Sequence, residues 1–215
     1  MDDPFDLVGR GNLEGLRAVL EANPSLARMR NASGASLLAW AHYAGKPDAA
    51  PLIRNHLDQL DPYDAIVADD IGAVHRAMDG GWDPNQLSPD GFTPLGLAAF
   101  FNRPAIFSFL LQLTRDVNQR AENPQRVAAL HAAVAQRNAA MVEALLRADA
   151  DPNLAQSDGF TPLHVAAAHG DTPVVAMLLM FGANPLATND KGESAIDYAR
   201  ARGHEWLAQR LEARV

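Results

Sequence analysis

The sequence predicts an all-α solenoid of about seven helix–turn–helix units joined by short β-hairpin-like fingers. Three observations lead there. The string DGFTPL occurs at Asp90–Leu95 and again at Asp158–Leu163. Apolar positions at Leu95, Leu130, Leu163 and Ile196 recur at spacings of 35, 33 and 33, and self-similarity at such a period marks stacked repeats. Each period is punctuated as two helices, with a cap and an apolar run, then a glycine, and then the same again.

The period that opens at Asp158 shows the local chemistry. Asp158-Gly159 is a turn dipeptide whose glycine tolerates positive φ. Thr161 is placed to accept from free N–H groups as an N-cap, and Pro162 suits the first helical position. An inner helix over Leu163–His169 ends at Gly170, a candidate left-handed cap. Thr172-Pro173 repeats the opening signal for an outer helix, Val174–Phe181. Gly182 closes it, and Ala183–Asn189 leads on through an extended turn. Ala166 and Ala167 are small enough for inner helices to stack closely. Leu163, Val174, Leu178 and Leu179 are expected to supply a core that no single unit could bury alone.

This stretch reads GFTPLHVAAAHG and then GANP. It resembles the ankyrin-repeat family, whose consensus carries G-x-TPLH-x-AA-xx-G and G-A-D-x-N. The resemblance extends through Asp90–Asn118, ending in DVN, and Val127–Asn153, ending in DADPN. The last unit departs from it with SAID at Ser194–Asp197 but keeps Gly192 and Gly203-His204. Towards the N-terminus, Asn31–Gly45 places Gly34, Leu38, Ala41 and Gly45 where a unit needs them. Asp3–Leu20 and Asp61–Met78 resemble each other and read as helix pairs without the TPLH entry, and Asp83-Pro84-Asn85 closes a unit. The ladder becomes Pro4, Leu38, Pro62, Leu95, Leu130, Leu163, Ile196. Its one short step, 24 residues from Leu38 to Pro62, implies that the finger between units two and three is missing. The step of 35 implies two extra residues around Glu122-Asn123-Pro124. The expected units are 1–30, 31–60, 61–87, 88–120, 121–155, 156–188 and 189–215, within a single domain over 1–215. Polar residues at both ends (Asp6, Arg10, Glu14, Arg17 and Glu21; Arg200, Arg202, Glu205, Gln209, Arg210 and Glu212) read as solvated terminal caps of a complete solenoid with no catalytic domain attached.

Composition narrows the function. A formal net charge of -8 argues against nucleic acid, which calls for a basic surface. No run of 18 apolar residues suggests a membrane span, and the acidic start MDDPFDLVGRG is not an export signal, so a cytoplasmic protein is expected. Cysteine is absent, which removes disulfides and thiolate metal sites. Sixteen of the 18 basic residues are arginine, a bias that points to a GC-rich bacterial genome. Motif mimics fail on inspection. Gly9–Gly15 has Glu14 where a dinucleotide loop needs glycine, Asp149–Asn153 lacks the later glycine and glutamate of a calcium loop, and His204-Glu205 lacks a second zinc-binding histidine. His131 and His164 occupy equivalent positions and read as bridges between units. No catalytic residue, metal or cofactor is assigned, and the expected protein is not an enzyme.

The resemblance implies a binding module that takes a protein partner on a concave groove. The family's variable positions fall here on the residues flanking the turn glycine and on the last two before the inner-helix cap. Seven candidates follow: Tyr43, Phe92, Phe100, Phe101, Gln136, Phe160 and His169. Aromatic side chains among them fit the enrichment of such residues at binding hot spots. Trp40 and Trp82 read as packing, and the acidic run Asp58, Asp61, Asp64, Asp69, Asp70 as solvated surface. A monomer is expected. Two other classes stay open: a small-ligand binder or enzyme with a polar pocket in the groove, and a homo-oligomer built on the phenylalanine patch.

Overall fold

The computed structural model describes residues 2–213. Among them lie seven helix pairs, an inner helix followed by an outer one. They are α1 (Pro4–Arg10) and α2 (Leu13–Ala22), α3 (Leu37–Tyr43) and α4 (Ala50–Arg54), α5 (Pro62–Val67) and α6 (Ile71–Asp79), α7 (Pro94–Phe100) and α8 (Pro104–Leu111), α9 (Ala129–Ala135) and α10 (Ala139–Arg147), α11 (Pro162–Ala168) and α12 (Thr172–Met180), and α13 (Ala195–Ala201) and α14 (Glu205–Glu212). The inner helices open at or one residue before the ladder positions read from the sequence. The chain forms two compact units. The first runs to Asp83 and adds Ser88–Gly91; the second takes Pro84–Leu87 and the chain from Phe92 onwards.

In the second unit, inner helices pack in sequence order, α7 on α9, α9 on α11, α11 on α13. Their facing positions are alanine: Ala98, Ala99, Ala132, Ala133, Ala166, Ala167 and Ala199 are all buried. A methyl side chain lets two backbones approach where a branched one would hold them apart. Outer helices fill the remaining volume with Ile106, Phe107, Leu110, Val142, Leu145, Val174 and Leu178. Leu179, expected in the core, is only half-buried and its place there is taken by Val175. The cause is register. The N-cap of α12 is Asp171, whose carboxylate accepts from the Val174 N–H, and Thr172 and Pro173 are the first helical residues.

The fingers close as tight hairpin-like turns. Asn31 N–H donates to Ala35 O, Gln156 N–H to Phe160 O and Asn189 N–H to Glu193 O. In the finger before α9 the equivalent bond runs from Ala121 N–H to Val127 O, two residues wider, which accommodates the extra residues around Glu122–Pro124. Successive fingers also touch through Ser157 N–H to Gln125 O and Asp190 N–H to Asp158 O, each 3.0 Å. Below them runs an asparagine ladder. Asn85, Asn118 and Asn153 each accept from one backbone N–H of the next repeat (Arg115, Asp151, Asn184) and donate to one carbonyl there (Leu113, Asp149, Gly182). The terminal N of the DVN and DPN signatures is thus a two-point clamp between neighbours.

The missing finger lies in the first unit. Residues 55–61 connect α4 to α5, where residues 80–93 connect α6 to α7 and residues 148–161 connect α10 to α11. α4 is itself short and is entered through a 3-10 turn at Pro47–Ala49 with no side-chain cap. The acidic run here is not merely solvated surface. Asp58 pairs with Arg28 at 2.8 Å, Asp61 pairs with Arg30 and caps α5, and Asp70 caps α6. Asp64 is buried and accepts from the Ser36 hydroxyl.

Candidate functional site

The inner helices of the second unit end alike. α7, α9, α11 and α13 finish on the pairs Phe100-Phe101, Ala135-Gln136, Ala168-His169 and Ala201-Arg202, the second residue being the C-cap in each. Every cap has φ between -95° and -81°, which any side chain adopts. The left-handed conformation falls on the next residue: Asn102, Arg137, Gly170 and Gly203. The helix ends are therefore held by backbone geometry, and the cap side chain is free to vary.

What varies is a row of exposed chemistry. Phe100 keeps 37% of its surface exposed, and Gln136, His169 and Arg202 are exposed; Phe101 is half-buried and meets Phe100 edge to face at 5.1 Å. Because the helices stack in order, the row runs from aromatic through amide and imidazole to guanidinium. Arg202 was not among the sequence candidates, although it precedes Gly203 as His169 precedes Gly170.

The other candidates lie elsewhere. Phe160 is half-buried, 5.6 Å from the His164 ring and 5.1 Å from Tyr198, both edge to face, and so bridges the last two repeats. Tyr198 itself donates to Glu193 at 2.8 Å and was hidden by the departure of its repeat from the consensus. Phe92 is half-buried just before the cap Thr93. Tyr43 ends α3 in the first unit, half-buried, with its hydroxyl donating to Asp90 at 3.0 Å. Burial, and then the Asp90 carboxylate, push that phenol well above its ordinary range. Four of the seven candidates (Phe100, Phe101, Gln136 and His169) therefore share one row.

The repeated histidines sit below this row in the core. His164 Nδ1 accepts from the Thr161 N–H at 3.1 Å, which leaves the ring proton on Nε2 to donate to Glu193 O at 3.0 Å in the next repeat. Burial holds this imidazole below its ordinary pKa. His131 repeats the arrangement, with Nδ1 3.4 Å from the Ala128 nitrogen. The Phe160 and Leu154 carbonyls face its ring without closing to hydrogen-bond geometry on Nε2. Burial lowers its pKa to about 4. Both rings are neutral at neutral pH, and of the two only His164 closes the bridge to the next repeat; His131 Nε2 is buried with no hydrogen-bond partner among the described residues. Thr161 also differs from the expected simple cap, since its hydroxyl engages His164 Nδ1 at 2.8 Å. Thr93, three residues before glycine, accepts from the Gly96 N–H at 2.9 Å instead. No helix among the described residues is long and apolar enough to cross a membrane.

Comparison with known proteins agrees with this architecture. A family model described as ankyrin repeats (3 copies) matches residues 63–156 and 130–213. A fowlpox virus protein named as the ankyrin repeat protein FPV031 is 36% identical over 95 residues, 43% of this chain and 28% of that protein. A zebrafish (Danio rerio) protein named as the palmitoyltransferase ZDHHC13 is 29% identical over 120 residues, 54% of this chain and 18% of that protein. The matches span less than a third of either relative. Stacked helix pairs, finger turns, the asparagine clamps and the matched model over most of the sequence place the chain in the ankyrin-repeat family.

Proposed function

We propose that this protein is a non-catalytic recognition module that binds a protein partner along the row of inner-helix ends in its second unit. Ankyrin repeats generally mediate protein–protein interaction. The observation that carries the reading is the contrast between the shared backbone of the caps Phe101, Gln136, His169 and Arg202 and their differing side chains, with Phe100 exposed one residue before the first of them. Phe100, backed by Phe101, supplies an aromatic anchor of the kind enriched at hot spots, and the polar members supply a hydrogen-bonding rim. Tyr43, Phe92 and Phe160 support neighbouring turns in this reading and contribute less to binding.

The test is affinity capture from the source organism's lysate with two baits, the wild type and a Phe100→Asp, Gln136→Arg, His169→Asp variant of matched thermal stability. Partners retained by the wild type and lost by the variant support the row. Partners retained equally by both place recognition on another surface. Light scattering over a range of concentration separates partner binding from self-association through the same aromatic residues.

A further inference from the structure

We infer that the short second repeat creates a second recognition site in the first unit: a cationic cleft that takes a peptide segment bearing an acidic side chain beside an apolar one. The cleft lies between residues 55–61 and the C-terminal half of α6 and has a volume of about 850 Å³. That is within the range of about 300–1,000 Å³ typical of ligand sites. Its walls include Arg54, Leu60, Ala73, Arg76, Ala77 and Trp82. It opens beside the short connection, where a full-length repeat would have more of its own chain, so its shape suits a stretch of polypeptide.

Charge selects the occupant. The chain carries a formal -8, yet this cleft is lined by two guanidiniums, Arg54 and Arg76, with one carboxylate, Asp58, and one amide, Gln59, at its edge. Asp58, on its rim, is already paired with Arg28 at 2.8 Å. Asp70 is committed to capping α6 through the Ala73 N–H at 2.8 Å and stands 4.0 Å from both Arg54 and Arg76. That long shared contact is the one ion pair Arg76 makes among the described residues, and the Arg76 side chain is 72% exposed. Arg54 donates one further bond, to Leu57 O at 2.9 Å. Two guanidiniums with five N–H donors each therefore share one distant carboxylate, which leaves room for a bidentate carboxylate contact. Ala73, Ala77, Leu60 and the Trp82 ring offer apolar wall beside them.

Selection of a random dodecapeptide display library on the full chain tests this. Recovered peptides are assayed by fluorescence anisotropy against wild type, Arg76→Glu and Ala77→Phe, the last filling the cleft without changing charge. Peptides with an acidic residue next to an apolar one, weakened tenfold or more by each substitution and by raised salt, are the expected result. No enrichment, enrichment without acidic residues, or unchanged binding to both variants overturns the proposal. Chemical-shift changes at the Arg76 amide with inorganic phosphate, in the absence of any enriched acidic peptide, assign the cleft to small anions and overturn it equally. Peptides from this site are unaffected by the Phe100, Gln136 and His169 substitutions, so its failure and that of the groove reading are separable.

Discussion

Asn153 shows how one side chain can carry a repeat boundary. Its amide accepts from Asn184 N–H at 2.7 Å and donates to Gly182 O at 2.9 Å, satisfying two backbone groups of the next repeat that no helix or strand could reach. Asn153→Ala is expected to lower stability by about 1–2 kcal/mol, since each such bond contributes roughly 0.5–1.5 kcal/mol net. Urea unfolding reads the change, and Asn153→Asp, which keeps the acceptor and loses the donor, should fall between the two. An alanine variant as stable as wild type would mean that water replaces both bonds at no cost. The same two-point clamp explains why DPN and DVN recur while the residues around them drift.

At the scale of the finger, three turn glycines share one conformation and differ in surroundings. Gly34, Gly159 and Gly192 have φ of 91°, 75° and 77°. A Cβ at Gly34 would stand 2.2 Å from Pro89 O, and one at Gly159 would stand 2.9 Å from the Asp190 nitrogen; at Gly192 nothing lies within 4 Å. Gly192→Ala should therefore cost only the left-handed backbone term, about 1 kcal/mol. Gly34→Ala and Gly159→Ala should cost a further roughly 1–3 kcal/mol, because the obstacle is main chain from the neighbouring finger and cannot swing away. Thermal melts of the three variants check the ranking, and equal losses would show that conformation alone matters. Finger-to-finger bonds such as Asp190 N–H to Asp158 O set this close approach.

At the scale of the whole molecule, the two compact units are expected to respond to acid in opposite senses. In the second unit, burial lowers His131 to about 4 from its ordinary 6.5. The unfolded chain then binds the proton more readily, so stability is complete above about pH 6.5 and falls as pH drops towards 4, by about 2 kcal/mol at pH 5. His164, also lowered, adds in the same direction. In the first unit, burial and then the Asp61 carboxylate push Asp64 up to about 7 from 3.8. Here the folded state holds the proton better, so its contribution is complete below about pH 3.8 and is lost as pH rises through 7. Hydrogen exchange at pH 5 against pH 8, corrected for intrinsic rates, should show α9 amides less protected at the lower pH and α5 amides more protected. Asp64→Asn should flatten the α5 response and raise stability at pH 8. A common direction in both units would contradict the assignment of these two groups.

The helix pairs, the repeat length, the short step before Pro62 and the wide turn before Val127 are all legible in the chain, because each depends on residues close together in it. Caps, prolines and glycines act over three or four positions, and a period near 33 follows from counting. Phe100, Gln136 and His169 are legible at helix ends too, since their distance from the following turn is local. Which aromatic faces what is set by how the repeats stack. Phe160 turned to Tyr198 of the next repeat, and Tyr43 to Asp90. The acidic run around Asp61 likewise acquired Arg28 and Arg30 from about 30 residues earlier. Side-chain partners across a repeat boundary depend on stacking geometry, which local propensity does not encode. For the same reason, the missing residues are legible as a number, whereas the cleft beside them exists only once α4, α5 and α6 have packed.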